Sequence, residues 1–400
     1  MQKFNSSVST PITSSASFSY INSNEAKDIF SGNVNKPLYS RLGNPTSSTL
    51  ENIMTTFEKG VGAVASSSGM GAISMAVMSL CSANDEIIAI GGLFGGSYAL
   101  FTQTLPRFGI KTHFFDVDEF ENIQNSINKN TKIIFCESVG NPNLRLPDLQ
   151  KIGKIANRNK ILFIVDNTIT PIIVRPFEYG ANIVIYSTTK IISGNSSALG
   201  GITIVNEIKD NDKFHTSRYD FLKPFINKLG EKALVGCLKK RALRDFGMSA
   251  NANASYQTIL GLETLELRTR QINSSCELIA KKLQDANIDV NHPSLANNID
   301  HDRYKKLYKN GCGTIITVDM QTQEKAFTFL DNSNLLTLTA NIGDSRTLGL
   351  HMASTIYADF NEEEKKFLGI TDGLIRLSIG LEDPMIIADD LIECFKKTNT

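Results

Sequence analysis

Between residues 61 and 205 the chain alternates short apolar runs with segments of helical period, and this alternation restricts the fold more than any other feature. The runs span 61–66, 86–90, 111–115, 132–137, 161–166, 182–187 and 201–205. They are rich in Ile, Val and Phe with little polar alternation, the pattern of strands covered on both faces. Between them Phe120, Ile123 and Ile127 share one helical face, as do Leu149, Ile152 and Ile155. Such a strand–helix repeat predicts an α/β fold built on a mostly parallel, doubly wound sheet.

The second half has a different texture. Ile272, Cys276, Ile279 and Leu283 mark a long amphipathic helix, followed by strand-like runs at 313–320 and 374–379. Asp383 and Pro384 open a final helix as N-cap and first residue. The expected organisation is therefore an arm (1–50), a cofactor-binding α/β domain (51–237) and a smaller C-terminal α+β domain (238–400). The first 50 residues are polar and lack periodicity, as suits an arm lying on another surface.

Charge narrows the partners. Lys and Arg total 41 and Asp and Glu total 41, so no net basic field gathers nucleic acid or anionic lipid. The six cysteines are scattered and form no Cys-x-x-Cys pair, which argues against a disulfide scaffold and a structural metal. The longest uncharged stretch, 60–84, is too rich in Ser and Gly for a membrane helix. No membrane or nucleic-acid partner is expected, and a reducing cytoplasm is the expected compartment.

In a doubly wound sheet, ligands bind beyond the carboxyl ends of the strands. The first run is followed by Ser66-Ser67-Ser68-Gly69-Met70-Gly71 and an apolar helix. The fourth is followed by Glu137-Ser138-Val139-Gly140-Asn141-Pro142, the fifth ends in Asp166-Asn167-Thr168, and the sixth in Ser187-Thr188-Thr189-Lys190. The serine–glycine turn places backbone N–H groups at a helix N-terminus, where a phosphate sits well. A phosphate site, a carboxylate and a lysine together suit pyridoxal 5'-phosphate. Its aldehyde condenses with Lys190, Asp166 keeps its ring nitrogen protonated, and the hydroxyls of Ser187 and Thr189 hold its phosphate.

These residues also resemble a known family, the pyridoxal-phosphate enzymes of cysteine and methionine metabolism. Four motifs carry the resemblance: Tyr39-Ser40-Arg41-x-Gly43-Asn44-Pro45-Thr46, Ser68-Gly69-Met70, Asp166-Asn167-Thr168 and Ser187-Thr188-Thr189-Lys190. It extends over residues 37–396. The resemblance implies a fold-type I enzyme that is a homo-oligomer, either a dimer or a tetramer built as a dimer of dimers. Tyr39 and Arg41 would reach a neighbouring subunit's cofactor phosphate, with Tyr39 also serving catalysis. It further implies that Gly69 and Met70 supply phosphate-binding amides, that Asn141 approaches the cofactor ring oxygen, and that Arg376 and Asn341 bind the substrate, Arg376 through its carboxylate.

Three departures stand out. Phe94 occupies the place of the family tyrosine, so its ring can stack on the cofactor but lacks the phenolic hydroxyl. Asn195 replaces a common His, and Met352 follows His351 where Pro is common. The segments Arg244-Asp245-Phe246-Gly247, Gly261-Leu262-Glu263-Thr264-Leu265 and 341–348 resemble the O-acetylhomoserine sulfhydrylase branch. The expected reaction is γ-replacement on O-acetyl-L-homoserine by sulfide or a small thiol, giving homocysteine or methionine. A methionine γ-lyase or cystathionine lyase/synthase, and a non-catalytic cofactor-binding protein, are the alternatives.

Overall fold

The structure, a computed structural model, describes residues 7–34, 36–207, 217–308 and 310–399. Residues 1–6 of the expected arm and 208–216 of the expected cofactor-binding domain lie outside the described residues. Contacts divide the chain into two compact units. One comprises Met1–Leu80, Ile185–Thr189 and Ser197–Leu260; the other comprises Cys81–Val184, Lys190–Ser196 and Gly261–Thr400.

The seven apolar runs are all strands, with ends displaced by at most one residue. They are β1 (Gly62–Ser66), β2 (Glu86–Ile90), β3 (Lys111–Phe115), β4 (Thr131–Glu137), β5 (Leu162–Asp166), β6 (Ile183–Tyr186) and β7 (Gly201–Val205). The strand order is β1-β7-β6-β5-β4-β2-β3, with β6 divided between the two units. The fold class is the expected α/β one. The pairs β2–β3, β2–β4 and β4–β5 are parallel, whereas β1 runs antiparallel to β7.

In the first unit, helix Pro45–Glu58 starts where Asn44 Oδ1 accepts the Thr46 N–H at 2.9 Å and Pro45 fills the first turn. The Asn-Pro-Thr segment is thus a helix start. A second helix, Ser23–Ser31, lies within the polar first 50 residues, capped by Asn22 and ended by Gly32 at φ 77°. Ala26, Ile29 and Phe30 fall on one face of that helix, although only Ile29 is buried. Helix Gly69–Leu80 buries Ala72, Ile73, Met75, Ala76, Val77 and Leu80.

In the second unit, β4 and β5 are almost wholly buried, which explains their unbroken apolar sequence. Their parallel register sets Glu137 beside Asp166 at the carboxyl ends. A five-stranded sheet follows in the order β10-β11-β12-β9-β8, where β8 is Val290–Asn291, β9 Ile315–Asp319, β10 Thr337–Leu338, β11 Leu348–His351 and β12 Leu374–Ser378. The long helix Leu265–Asp285 turns Ile272, Cys276, Ile279 and Leu283 into a core with Ile316, Val318, Ile375 and Leu377. Each fully buried Ile or Leu there contributes about 1.5–3 kcal/mol. The last helix, Pro384–Thr398, begins at Asp383, whose carboxylate accepts the Met385 N–H at 2.8 Å. No helix among the described residues is long and apolar enough to cross a membrane.

Candidate active site

In the first unit the serine–glycine turn leads straight into helix Gly69–Leu80. Ser68 Oγ accepts the Gly71 N–H at 2.9 Å and the Ser68 carbonyl accepts the Ala72 N–H at 3.0 Å. The Gly69 and Met70 N–H groups find no acceptor among the described residues, as expected for a helix N-terminus that waits for an anion. Gly69 is required by close approach: a Cβ there would lie 2.6 Å from the Ser187 Cβ and 2.8 Å from its Oγ. Thr189 Oγ1 donates to the Gly200 carbonyl at 3.1 Å and accepts the Gly200 N–H at 3.0 Å. Its one proton is therefore in use, and Thr189 must release the Gly200 carbonyl before it can donate to a phosphate. Tyr39 and Arg41 are exposed in the single chain; their ring and guanidinium lie 5.6 Å apart, and Arg41 donates to the Arg244 carbonyl.

In the second unit a pair of carboxyls closes the strand ends. Asp166 is buried, which pushes it up from 3.8 to about 6 against the pull of its bonds from Thr168. Both Thr168 bonds, N–H at 3.0 Å and hydroxyl at 2.5 Å, fall on Asp166 Oδ1. Its Oδ2 accepts no hydrogen bond among the described residues. Glu137 is pushed well above the usual carboxylate range by burial and then by the Asp166 charge. Its Oε1 accepts the Phe94 N–H at 2.7 Å, which fixes the backbone that carries the Phe94 ring. Sequence reasoning gave Glu137 no role; acids ending adjacent parallel strands were the available signal.

Lys190 begins a turn held by Arg268, which donates to the Ile191 carbonyl at 2.7 Å, the Ile192 carbonyl at 3.0 Å and the Gly261 carbonyl at 2.7 Å. Gly194, at φ 72°, is forced by the same side chain, because a Cβ would lie 2.1 Å from Arg268 Nη1. The Lys190 Nζ donates to Asn341 Oδ1 at 2.6 Å. Burial, and then the positive charge of Arg376, lower the lysine from 10.5 to about 8. Roughly one amine in ten is then neutral at pH 7, hundreds of times the fraction for an ordinary lysine.

Arg376 lies on β12, between Leu350 of β11 and Thr317 of β9, and is buried. It donates to Asn141 Oδ1 at 3.2 Å and to the Asn341 carbonyl at 3.3 Å, and has no acidic partner among the described residues. Burial lowers it from 12.5 to about 10, with Tyr357 opposing the shift. Tyr357, another residue that sequence reasoning missed, donates to the Asn141 carbonyl at 2.9 Å. Within this unit Lys190, Asn341, Arg376 and Asn141 thus form one connected set, and Asp166, Glu137 and Phe94 form a second.

A lysine with a lowered proton affinity, a carboxylate oxygen without a donor and a buried guanidinium without an acidic partner among the described residues are the groups a lysine-dependent, amino-acid-handling enzyme needs. The chain belongs to the family described as Cys/Met metabolism PLP-dependent enzyme, whose model matches residues 1–397. It is 32% identical to an O-acetyl-L-homoserine sulfhydrylase of Leptospira meyeri over 96% of this chain and 92% of that protein. It is 34% identical to an L-methionine gamma-lyase of Fusobacterium nucleatum subsp. polymorphum over 90% of this chain and 86% of that one. Among solved structures, a Campylobacter jejuni protein assigned as an O-acetylhomoserine (thiol)-lyase superposes with a TM-score of 0.92. It is 34% identical over 98% of this chain and 96% of that chain, and carries an N'-pyridoxyl-lysine-5'-monophosphate.

The residues present fit pyridoxal phosphate. In the first unit the Gly69 and Met70 N–H groups find no acceptor among the described residues; in the second, Asp166 Oδ2 finds no donor among them and the Lys190 amine is partly neutral.

Proposed function

We propose that this protein catalyses γ-replacement on O-acetyl-L-homoserine, with sulfide or a small thiol displacing acetate. The observation that carries the reading is Arg376, a buried guanidinium with no acidic partner among the described residues, joined through Asn341 to the Lys190 amine. That arrangement suits a substrate bearing an α-carboxylate next to a carbon that loses a proton. The O-acetyl-L-homoserine sulfhydrylase relative supports the particular substrate.

Lys190 would hold the cofactor covalently, with Asp166 on its ring nitrogen and Asn141 near its ring oxygen. Gly69, Met70, Ser187 and Thr189 would hold its phosphate, and Phe94 would stack on its ring. Bound there, pyridoxal phosphate would supply the electron withdrawal that acidifies the substrate's α and β carbons. Arg376 then fixes the substrate carboxylate, and Asn341 steadies the Lys190 amine. Once the substrate's amino group has displaced it from the cofactor, the freed Lys190 amine would take the α proton in its neutral form and return a proton after the thiol adds. Phe94 offers no hydroxyl for proton transfer, so that work falls to Lys190 and to Tyr39. In this reading the enzyme is a cytoplasmic homotetramer, a dimer of dimers in which Tyr39 and Arg41 serve the neighbouring subunit. Their exposure in the single chain supports that role.

The test is a pair of incubations of purified, cofactor-loaded protein. O-acetyl-L-homoserine with sulfide should yield homocysteine, and methionine alone should yield no 2-oxobutanoate. The lyase-type relative makes the second reading concrete: 2-oxobutanoate from methionine without homocysteine from the first mixture would establish it instead.

A further inference from the structure

Asn341 presents an amide whose two ends are nearly the same size, and only one of them accepts a hydrogen bond from an amine. Its Oδ1 faces Lys190, and its Nδ2 donates to Ser196 Oγ at 2.8 Å. The Ser196 hydroxyl in turn donates to Asp344 Oδ2. Asp344 is buried and anchored, with Oδ1 taking the Arg346 N–H at 2.9 Å and Nε at 2.8 Å, and Oδ2 taking Nη2 at 3.1 Å. A carboxylate accepts only, so it claims the serine proton. Ser196 is left to accept from the amide, and the amide carbonyl is left for the lysine. Every bond along this chain has its direction set by the anionic end.

We propose that Ser196 and Asp344 are positioning residues for Lys190, acting through Asn341 to aim and polarise the carbonyl that receives the amine. The inference deepens the proposed function and rests on its assignment of Lys190. The backbone supplies an independent argument. Ser196 sits at φ 58°, a left-handed conformation that glycine adopts at less cost. A serine kept in that conformation is explained by what its hydroxyl bridges. The turn that carries it is fixed from elsewhere, by Arg268 on the Ile191 and Ile192 carbonyls and by the Ser345 N–H donating to the Gly194 carbonyl at 2.9 Å. Removing the hydroxyl should therefore leave the turn in place.

The charged groups around the relay are few. Arg376 acts on Lys190, while Arg346 and Arg268 act on Asp344. Burial opposes the charge on Asp344, but the Arg346 and Ser196 bonds outweigh it and hold the carboxylate below its ordinary range. The relay is therefore anionic at its far end at neutral pH, and its polarisation favours the protonated amine. Arg376 bonds the main-chain carbonyl of Asn341, which a change at Ser196 does not remove.

The experiment compares cofactor-loaded wild type with Ser196→Gly and Asp344→Asn. Ser196→Gly should keep or raise the melting temperature, because it relieves the left-handed residue. Its kcat should fall about tenfold, the scale of one lost hydrogen bond, while KM for the amino acid stays within about twofold. Without any substrate, the pH titration of the bound cofactor's visible absorbance should move down by about half a pH unit. Asp344→Asn should shift the titration in the same direction. An unchanged titration and kcat in folded Ser196→Gly would overturn the relay. Because the titration needs no substrate, a wild type that lacks sulfhydrylase turnover would defeat the substrate reading and leave the relay's own readout intact.

Discussion

Replacing Arg376 with Met separates a functional guanidinium from a structural one. The drop from 12.5 to about 10 is the cost of keeping this charge out of water. Arg376 is protonated at neutral pH both folded and unfolded, so the full difference weighs against the folded state, by about 3 kcal/mol. Arg376→Met removes that burden but takes the donor from buried Asn141 Oδ1 and from the partly wet Asn341 carbonyl, together about 2–4 kcal/mol. The two nearly cancel, and the expected change in stability lies within about 2 kcal/mol of zero. Substrate binding should behave otherwise. Losing one side of a buried, charge-assisted pair costs about 2–5 kcal/mol, or about 30-fold to several thousand-fold in affinity for the amino acid. Urea unfolding supplies the first quantity, and substrate titration of the loaded protein supplies the second. A stability loss of about 3–5 kcal/mol with unchanged affinity, the signature of a broken internal ion pair, would refute the reasoning.

Two further outcomes follow from the site. Gly69→Ala should weaken cofactor retention, since its Cβ would meet the Ser187 Cβ at 2.6 Å; the overpacking costs about 1–3 kcal/mol. Dialysis measures it; no change in retention would show that the helix start can yield. Cofactor affinity should also fall as pH drops through about 6, where Asp166 takes up a proton and ceases to be an anionic acceptor. In the cofactor-free protein this raised acid works the other way: its contribution to stability is full below the ordinary value of 3.8 and is lost as pH rises through about 6. Lys190 titrates higher, near 8. Binding isotherms from pH 5 to 8 should therefore show a step near pH 6 in wild type and none in Asp166→Asn.

The sheet was legible because its strands are buried on both faces, so the residues of β4 and β5 could hardly be anything but apolar. Strand ends then placed Asp166 and Lys190 without any tertiary information. Helix Ser23–Ser31 was missed although Ala26, Ile29 and Phe30 share a face behind the Asn22 cap, because three apolar positions are few within a polar stretch. The second tier of the site was hidden for a different reason. Glu137 gains its character from register against Asp166, and Arg268, Ser196 and Asp344 gain theirs from carbonyls and hydroxyls far along the chain. Such partnerships exist only after folding, and no local spacing announces them. Thr189 is the instructive case: its motif suggests a phosphate ligand, yet its hydroxyl proton is engaged by Gly200.

Lys190 as the covalent anchor of the cofactor is the assignment on which every other role depends. Purified protein supplied with pyridoxal phosphate, reduced with borohydride and digested, should yield a peptide bearing a pyridoxyl-phosphate mass on Lys190. Recovery of that peptide unmodified, or the mass on a different lysine, would contradict it.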